Sequence, residues 1–300
     1  MTEEQKATDE TAAAPEAGGC SGAAQGFNAL QQEKERQELA ARLGRIKHKI
    51  LVLSGKGGVG KSTVAANLAI SLAMTGKSVG LLDVDIHGPS IPKMFALEGK
   101  PVVADENALA PIAYSENLKV MSIGFLLHRM DEAVIWRGPM KYSVIKQFLK
   151  DVAWGDLDYL VIDSPPGTGD EPLAVCQLLE EALGAVIVTT PQEVALADVR
   201  RSITFCHRVK LPVLGLVENM SGFLCPKCGE TINIFKGGNG EEFAAEQEVP
   251  FLGRVPIDPQ IVEACDSGRP YVANFSDTET AKAFQQIVQP LIAAADAATE

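Results

Sequence analysis

The fold is decided by one stretch of the chain, which reads Gly55-Lys56-Gly57-Gly58-Val59-Gly60-Lys61-Ser62. It matches the pattern G-x-x-x-x-G-K-[ST] in full, directly after a predicted strand and before a predicted helix. The glycines let backbone N–H groups turn inward around a β-phosphate. Lys61 places a positive charge on the β- and γ-oxygens, and the Ser62 hydroxyl ligates magnesium. The sequence therefore predicts a site for ATP and Mg²⁺.

On both sides of this loop, short apolar runs alternate with amphipathic segments, which is typical of βα units and a parallel sheet. The predicted strands are Ile50–Ser54, Ser78–Asp83, Leu118–Ser122, Tyr159–Asp163, Ala185–Thr190, Val213–Glu218 and Phe251–Val255. After Lys61, the residues Val64, Leu68 and Leu72 recur at helical spacing, and Gly76 predicts the end of that helix. We expect an α/β fold, with a mostly parallel sheet flanked by helices on both faces.

The domain organisation is predicted to be simple. Residues 1–45 form a flexible tail, over 1–28 with an isolated Cys20, and a leading helix over 29–45. Residues 46–295 form one ATPase domain. Within it, the irregular segment 220–241, which contains a pair of cysteines and several glycines, is interpreted as an excursion and not as a second domain.

Composition excludes several classes of function. The net charge is −12, with 27 Lys and Arg against 39 Asp and Glu, which argues against binding to nucleic acid and against a polybasic membrane anchor. The N-terminus has no apolar run, and no stretch approaches the roughly 18 apolar residues of a membrane span. We therefore expect a cytoplasmic protein, in which the six cysteines are reduced thiols or metal ligands.

Three acidic residues and a glycine follow predicted strands at the edge of the sheet where ligands bind. Asp163 ends its strand as a Walker B acid does and can hold the magnesium shell. The Gly167 amide, shortly after it, can meet a γ-phosphate in a contact that hydrolysis would break. Asp83 and Asp85 end another strand, and one of them could orient the attacking water.

A second motif reads Cys225-Pro226-Lys227-Cys228-Gly229, a tight metal knuckle in which two thiolates point at one ion. A closed site needs four ligands, and the chain has no second C-x-x-C. Two copies related by a twofold axis would supply four thiolates, which suits a bridging iron–sulfur cluster or zinc. Structural zinc, a redox dithiol and an inert pair remain alternatives for Cys225 and Cys228.

The phosphate loop resembles the deviant Walker A box of the family that includes MinD, ParA, the nitrogenase iron protein and the Mrp-type ATPases. The resemblance covers Gly-Lys-Gly-Gly-Val-Gly-Lys-Ser-Thr up to Thr63, and its specific feature is Lys56 after the first glycine. The resemblance implies that Lys56 reaches across a homodimer interface to the partner's nucleotide, where it would act as an arginine finger does. It also implies that Asp85 polarises the water, and that Asp83 and Asp163 lie near the metal.

Longer motifs are similar to those of the Mrp/ApbC subgroup, over about residues 46 to 290. They are Asp83–Ser90, Trp136–Met140, Asp163–Asp170, Thr190–Gln192, Glu218–Ser221 and Val255–Pro259. This resemblance implies a [4Fe-4S] cluster held between two subunits by Cys225 and Cys228 and passed to apo iron–sulfur proteins. It also implies that Asn219 and the turn from Pro256 to Asp258 border the adenine.

Three other functions compete with an ATP-dependent cluster carrier. A positioning switch of the MinD or ParA type should have a basic amphipathic helix or a basic surface, whereas the C-terminus Leu291–Glu300 is acidic and Ala-rich. An electron-transfer ATPase like the nitrogenase iron protein would also bridge a cluster, and would use it for reversible one-electron transfer. A regulatory ATPase would hold zinc at the Cys pair.

Overall fold

The computed structural model describes residues 21–86, 88–104, 108–126, 138–179, 181–225, 227–228, 230–235 and 240–299. Residues 1–20 of the predicted tail, including Cys20, lie outside these ranges, as do His87, Trp136, Arg137, Pro226 and Gly229 of the quoted motifs. The chain divides after Ala40 into two compact units. The first contains most of helix α1, Ser21–Leu43, which begins earlier than the predicted residue 29 because its alanines and glutamines favour a helix.

The second unit is built on one sheet. Its described strands are β1 Ile46–Leu53, β2 Val79–Asp83, β3 Ile112–Ala113, β4 Leu118–Ser122, β5 Leu157–Asp163, β6 Gly184–Thr189, β7 Val213–Leu224, β8 Thr231–Ile232 and β9 Phe251–Ile257. Their order is β3-β4-β2-β5-β1-β6-β7-β8, and β9 also pairs with β7. All pairings are parallel except those of the short strands β3 and β8. The seven predicted strands and the mostly parallel sheet are confirmed.

Helices cover both faces of the sheet. They are α2 Lys61–Met74, α3 Ile91–Met94, α4 Gly138–Asp151, α5 Asp170–Leu178, α6 Glu193–Arg208, α7 Gly240–Glu246, α8 Pro259–Asp266, α9 Tyr271–Asn274 and α10 Glu279–Thr299. Along β5, Tyr159 and Val161 pack in one core cluster with α2 and α10. Leu160 and Ile162, equally buried, point to the opposite face because side chains alternate along a strand. No helix of the described ranges is long and apolar enough to span a bilayer.

Three local features differ from or confirm the sequence prediction. Gly76 ends α2 with a positive φ of 83°, as predicted. Strand β1 begins at Ile46, before the predicted Ile50, and its charged residue Lys47 forms an ion pair with Asp158 of β5 at 2.8 Å. Strand β7 continues past the predicted end at Glu218 as far as Leu224, which brings it next to Cys225.

Candidate nucleotide site and cysteine pair

The phosphate loop joins β1 to α2 and depends on two glycines with left-handed backbone conformations. Gly58 has a φ of 79° and Gly60, the N-cap of α2, a φ of 81°. A Cβ atom at Gly60 would lie 2.2 Å from Nδ2 of Asn219, so a side chain there is excluded by space as well as by φ. The loop thereby directs the free N–H groups at the start of α2 toward a bound anion.

The loop is fixed from outside by hydrogen bonds. Nδ2 of the buried Asn219, a residue that the resemblance places at the adenine, donates to the Val59 carbonyl of the loop at 2.9 Å. The Gly167 N–H, with a φ of 91°, donates to the Ser54 carbonyl at 2.8 Å. The Ser54 hydroxyl donates to the Lys56 carbonyl at 3.0 Å. The segment after β5 and strand β7 itself therefore both hold the loop in place.

A buried lysine and three carboxylates meet beneath the loop. Nζ of Lys61 lies 2.6 Å from Oδ1 of Asp163 and 3.5 Å from Oδ2 of Asp85, and only 6% of its side chain is exposed. Asp83 pairs in register with Asp163 across β2 and β5, and its Oδ1 accepts the Asp85 N–H at 3.0 Å. The structure thus brings together the charged residues that the sequence predicted for this site.

The protonation of this cluster follows from burial and charge. Burial and the nearby charge of Asp163 raise the pKa of Asp83 to about 8. Burial also raises the pKa of Asp163, although the charge of Lys61 acts in the opposite direction. Burial opposes the charge of Lys61, but the carboxylates of Asp163 and Asp85 outweigh it and raise the lysine pKa. Lys61 therefore stays protonated and is available to bind phosphate.

The donor set fits magnesium and a nucleotide. Oδ2 of Asp163 is buried and has no hydrogen-bond partner among the described residues. The Ser62 hydroxyl lies close enough to the same carboxylate to act against the rise in its pKa. A buried carboxylate oxygen without a partner is costly, and a hydrated magnesium ion would satisfy it. Ser62 and Asp163 are the residues that would hold the ion, with Asp83 directly beside Asp163.

Lys56 contacts helix α6 of its own chain. Its Nζ donates to Oε1 of Gln192, the N-cap of α6, at 3.2 Å. A Cβ atom at Gly55 would lie 2.5 Å from the Asp198 carbonyl, so α6 packs directly on the loop. Sequence reasoning missed Gln192 as a partner of Lys56, although the motif Thr190–Gln192 pointed to this position.

The remaining predicted nucleotide residues lie around the start of α8. Pro256 belongs to β9, and Asp258 is the N-cap of α8, where its Oδ1 accepts the Gln260 N–H at 2.9 Å. Oδ2 of Asp258 accepts hydrogen bonds from the hydroxyl groups of Tyr271 and Thr280. The side chain of Asp258 therefore caps α8 and joins it to α9 and α10, a role that the sequence reasoning missed. The sequence feature that could have indicated this N-cap is an Asp directly before Pro259, the first residue of α8.

Thr63 lies in the first turn of α2, close enough to Cys265 of α8 to act against the rise that burial causes in the pKa of that thiol. Helix α8, whose N-cap is Asp258, therefore lies next to the first turn of α2.

The cysteine pair follows β7 directly. Cys225 is half-buried and Cys228 is exposed. Hydrogen bonds from the backbone N–H groups of Cys228 and Lys227 lower the pKa of the Cys225 thiol, whereas burial raises the pKa of Cys206 to about 12. Within the described ranges, no three metal-ligating side chains form a group. Both thiols of the pair are thus at least partly accessible, and that of Cys225 ionises more readily than an ordinary thiol.

Comparisons with other sequences agree with this combination of sites. A family model described as ParA, NUBPL iron-transfer P-loop NTPase matches residues 45–292. The cytosolic Fe-S cluster assembly factor NUBP2 of Bos taurus is 50% identical over 254 residues, which cover 83% of this chain and 94% of the relative. Its homolog from Trichoplax adhaerens is 53% identical over 253 residues, which cover 83% and 96%.

Solved structures share the fold. A nucleotide-binding protein from Archaeoglobus fulgidus, in complex with ADP and with cobalt, is 45% identical with a TM-score of 0.70, and the match covers 78% of this chain and 92% of that one. MinD from Pyrococcus horikoshii, complexed with Mg-ADP, is 24% identical with a TM-score of 0.60, covering 81% and 95%. The second likeness is one of fold alone.

Proposed function

Because the chain belongs to the family of NUBPL-type iron-transfer P-loop NTPases, we propose that it is a cytosolic ATP-hydrolysing carrier of iron–sulfur clusters. It holds a [4Fe-4S] cluster across a homodimer and passes it to apoproteins. One observation carries the proposal: β7 contacts the phosphate loop through Asn219 and leads to Cys225 six residues later. At about 3.3 Å per residue, the two sites lie within about 20 Å along one strand.

The nucleotide half of the proposal uses the cluster beneath the loop. Lys61 exchanges its bond to Asp163 for the β- and γ-oxygens of ATP, which frees the Asp163 carboxylate for the magnesium shell with Ser62. Magnesium, when bound, neutralises the charge of the departing phosphate. Asp85, 3.5 Å from Lys61, orients the attacking water. Lys56 of each copy stabilises the partner's γ-phosphate after leaving Gln192.

The loop after β5 reports the state of the nucleotide. The Gly167 N–H donates to the Ser54 carbonyl at 2.8 Å, and we expect it to turn to the γ-phosphate when ATP binds. Because glycine has no Cβ atom, Gly167 adopts its φ of 91° and can rotate from it at little cost, whereas any other residue would be strained there. Hydrolysis removes this acceptor, so the Gly167 segment would return to its contact with the phosphate loop.

The cluster half rests on the count and the chemistry of the thiols. Each copy contributes Cys225 and Cys228, and two copies complete the four thiolates that a [4Fe-4S] cluster needs. The lowered pKa of Cys225 favours the thiolate that binds metal. Exposure of Cys228 lets a recipient protein reach the cargo, since transfer requires exchange of thiolate ligands. Zinc would use the same ligands, so metal identity decides between a carrier and a regulatory ATPase.

The deciding experiment measures iron, sulfide and zinc, with an absorption spectrum, on the full-length protein purified without oxygen. We expect about two irons and two sulfides per chain, lost in Cys225→Ala/Cys228→Ala and kept in the control Cys176→Ala, whose thiol is only partly exposed and has a raised pKa. Stoichiometric zinc that survives reconstitution with iron and sulfide would contradict the carrier function and leave the ATPase.

Coupling to ATP needs a separate measurement. The loaded protein is mixed with an apo ferredoxin, and cluster transfer is followed by absorption with and without MgATP. ATP should change the transfer rate of the wild type and leave that of Lys61→Ala unchanged, because Lys61 is the phosphate-binding charge. Equal dependence on ATP in both proteins would contradict the coupling.

A further inference from the structure

Strand β7 carries a fully buried carboxylate directly before its contact with the phosphate loop. Glu218 is 0% exposed and directly precedes Asn219, whose side chain donates to the phosphate loop at Val59. Neither the nucleotide chemistry nor the thiolate count gives Glu218 a role. A buried glutamate is costly unless its oxygens are hydrogen-bonded, so its partners indicate what it stabilises.

Those partners lie at the two ends of one segment. The Ser221 hydroxyl donates to Oε1 of Glu218 at 2.5 Å, and the Gly240 N–H donates to Oε2 at 2.9 Å. Nε of Arg254, from the neighbouring strand β9, lies 3.4 Å from Oε1. The segment between Ser221 and Gly240 is the one that contains both cysteines of the pair. The carboxylate of Glu218 therefore binds both ends of this segment, residues 221–240, which is called the Cys segment below.

The backbone around these contacts is closely fitted. A Cβ atom at Gly240 would lie 2.4 Å from Oε2 of Glu218, so only glycine allows this approach. Met220 has a φ of 58° and Gly222 a φ of 78°, and the pairing of β7 with β9 shifts register between Asn219 and Phe223. A bulge bends a strand, and residues with positive φ store backbone strain. A small displacement of such a strand therefore changes the direction of the chain that follows it. The bulge lies between the nucleotide contact and Cys225.

We propose that Glu218 is a positioning residue that transmits the state of the nucleotide to the cysteine pair. A movement of the loop acts on Asn219 and hence on its neighbour Glu218, and the two ends of the Cys segment move with the carboxylate because both are bonded to it. The spacing and exposure of Cys225 and Cys228 then depend on the nucleotide. This inference rests on the proposed function, since it assigns the link between hydrolysis and cluster release.

The test compares the thiols of Cys225 and Cys228 in the full-length, metal-free chain. Their alkylation by iodoacetamide is timed by mass spectrometry without nucleotide, with MgADP and with a non-hydrolysable ATP analogue. Glu218→Gln keeps the shape but removes the negative charge beside Arg254 and replaces one acceptor oxygen by an NH2 group, which the Gly240 N–H and Arg254 cannot accept. Glu241→Gln is the matched control, because its carboxylate also contacts Arg254, at 3.1 Å, but is 62% exposed.

In the wild type and in Glu241→Gln, we expect the alkylation rate to differ by about tenfold between the nucleotide states, which is the order of one hydrogen bond to a charged group. In Glu218→Gln the difference should disappear, while the affinity for MgADP stays within about twofold of the wild type. Ser221→Ala, which removes one bond at a partly exposed position, should lose part of the difference and decides the matter if Glu218→Gln does not fold.

A full nucleotide response in Glu218→Gln, or in Ser221→Ala if that variant alone folds, would overturn the inference. So would a wild-type chain whose thiols react equally in all states. These outcomes are separate from the analysis of iron and zinc, because alkylation is measured on chains that contain neither. A chain that binds only zinc would contradict the carrier function and still show whether Glu218 links the two sites.

Discussion

At the scale of single residues, Lys61 has two functions that can be separated. The proposed function has it bind phosphate when nucleotide is present, and without nucleotide it is the counterion of the buried Asp163 and Asp85. Removing one partner of a buried ion pair leaves an uncompensated charge. The phosphate-binding residue is therefore also expected to contribute to the stability of the empty protein.

Replacement of Lys61 by methionine should lower the free energy of unfolding of the nucleotide-free chain by about 3 kcal/mol. Urea denaturation at pH 7 measures this. Lys93→Met is the control, since its Nζ is 3.8 Å from Asp266 and both side chains are mostly exposed. An unchanged midpoint and slope for the Lys61 variant would show that the carboxylates do not depend on this lysine.

A second residue-level prediction concerns Gly60. Alanine at this position should destabilise the nucleotide-free chain by about 2 kcal/mol, because φ is 81° and the new Cβ would meet Asn219. Gly57→Ala, which meets nothing within 4 Å, should leave the unfolding free energy close to that of the wild type. Thermal unfolding of both variants without nucleotide makes the comparison, and equal losses would refute the steric argument.

Much of the site could be predicted from single residues, and the rest could not for a physical reason. The phosphate loop, with Lys61 and Ser62 at the start of α2, is a local structure, so spacing alone located it. The bond from Gly240 to Glu218 joins residues 22 apart, and the one from Lys56 to Gln192 joins residues 136 apart. Such contacts depend on how elements pack, which no local pattern records.

At the scale of elements, Asp158 at the start of β5 joins the N-terminal ends of three neighbouring strands, β1, β2 and β5. Its Oδ1 accepts from Lys47 of β1 at 2.8 Å, and its Oδ2 accepts the N–H of Ser78, directly before β2, at 2.9 Å. These hydrogen bonds, that of Lys47 first, lower the pKa of Asp158. The folded state therefore favours the ionised carboxylate.

Asp158→Asn should reduce the free energy of unfolding at pH 7 by at most about 1 kcal/mol, since Lys47 is largely exposed. The folded pKa lies below the unfolded value of about 3.9, so the stabilisation is complete above that pH and is lost as pH falls through the folded pKa. Urea denaturation at pH 7 and pH 3 should show a difference that shrinks in acid. A difference independent of pH would contradict the ionic explanation.

Element prediction succeeded where hydrophobic runs are long. The strands β2 and β6 are buried throughout, and their continuous apolar residues identified them. The two-residue strands β3 and β8 carry no periodicity, so they were missed. The extension of β7 past Glu218 was missed because polar residues usually end a strand, whereas here Ser221, Gly240 and Arg254 satisfy the carboxylate.

At the scale of the whole molecule, the proposed homodimer is expected to form only with ATP. Lys56 is held by Gln192 in the single chain, and this one hydrogen bond at 3.2 Å is weak enough to be exchanged for a partner's phosphate. A lysine that completes the neighbour's site makes hydrolysis depend on association. Dimerisation and hydrolysis should therefore be lost together.

Lys56→Ala should still bind MgATP but remain monomeric and hydrolyse it about 10³-fold more slowly. Light scattering with and without ATP, beside a phosphate-release assay, measures both properties. The control Lys93→Ala removes an exposed lysine outside the loop and should behave as the wild type. Wild-type hydrolysis by a monomeric Lys56→Ala would show that the lysine does not act in the partner.

The differences between the thiol pKa values affect which described cysteines react first with oxidants when the protein is exposed to air. The thiolate is the form that oxygen-derived oxidants attack, and Cys225 has the lowered pKa while burial protects Cys206 and raises its pKa to about 12. Cys228 is exposed three positions away and can resolve a sulfenic acid as a disulfide. Among the described cysteines, Cys225 and Cys228 are thus expected to be oxidised first, and a cluster held as proposed would shield them.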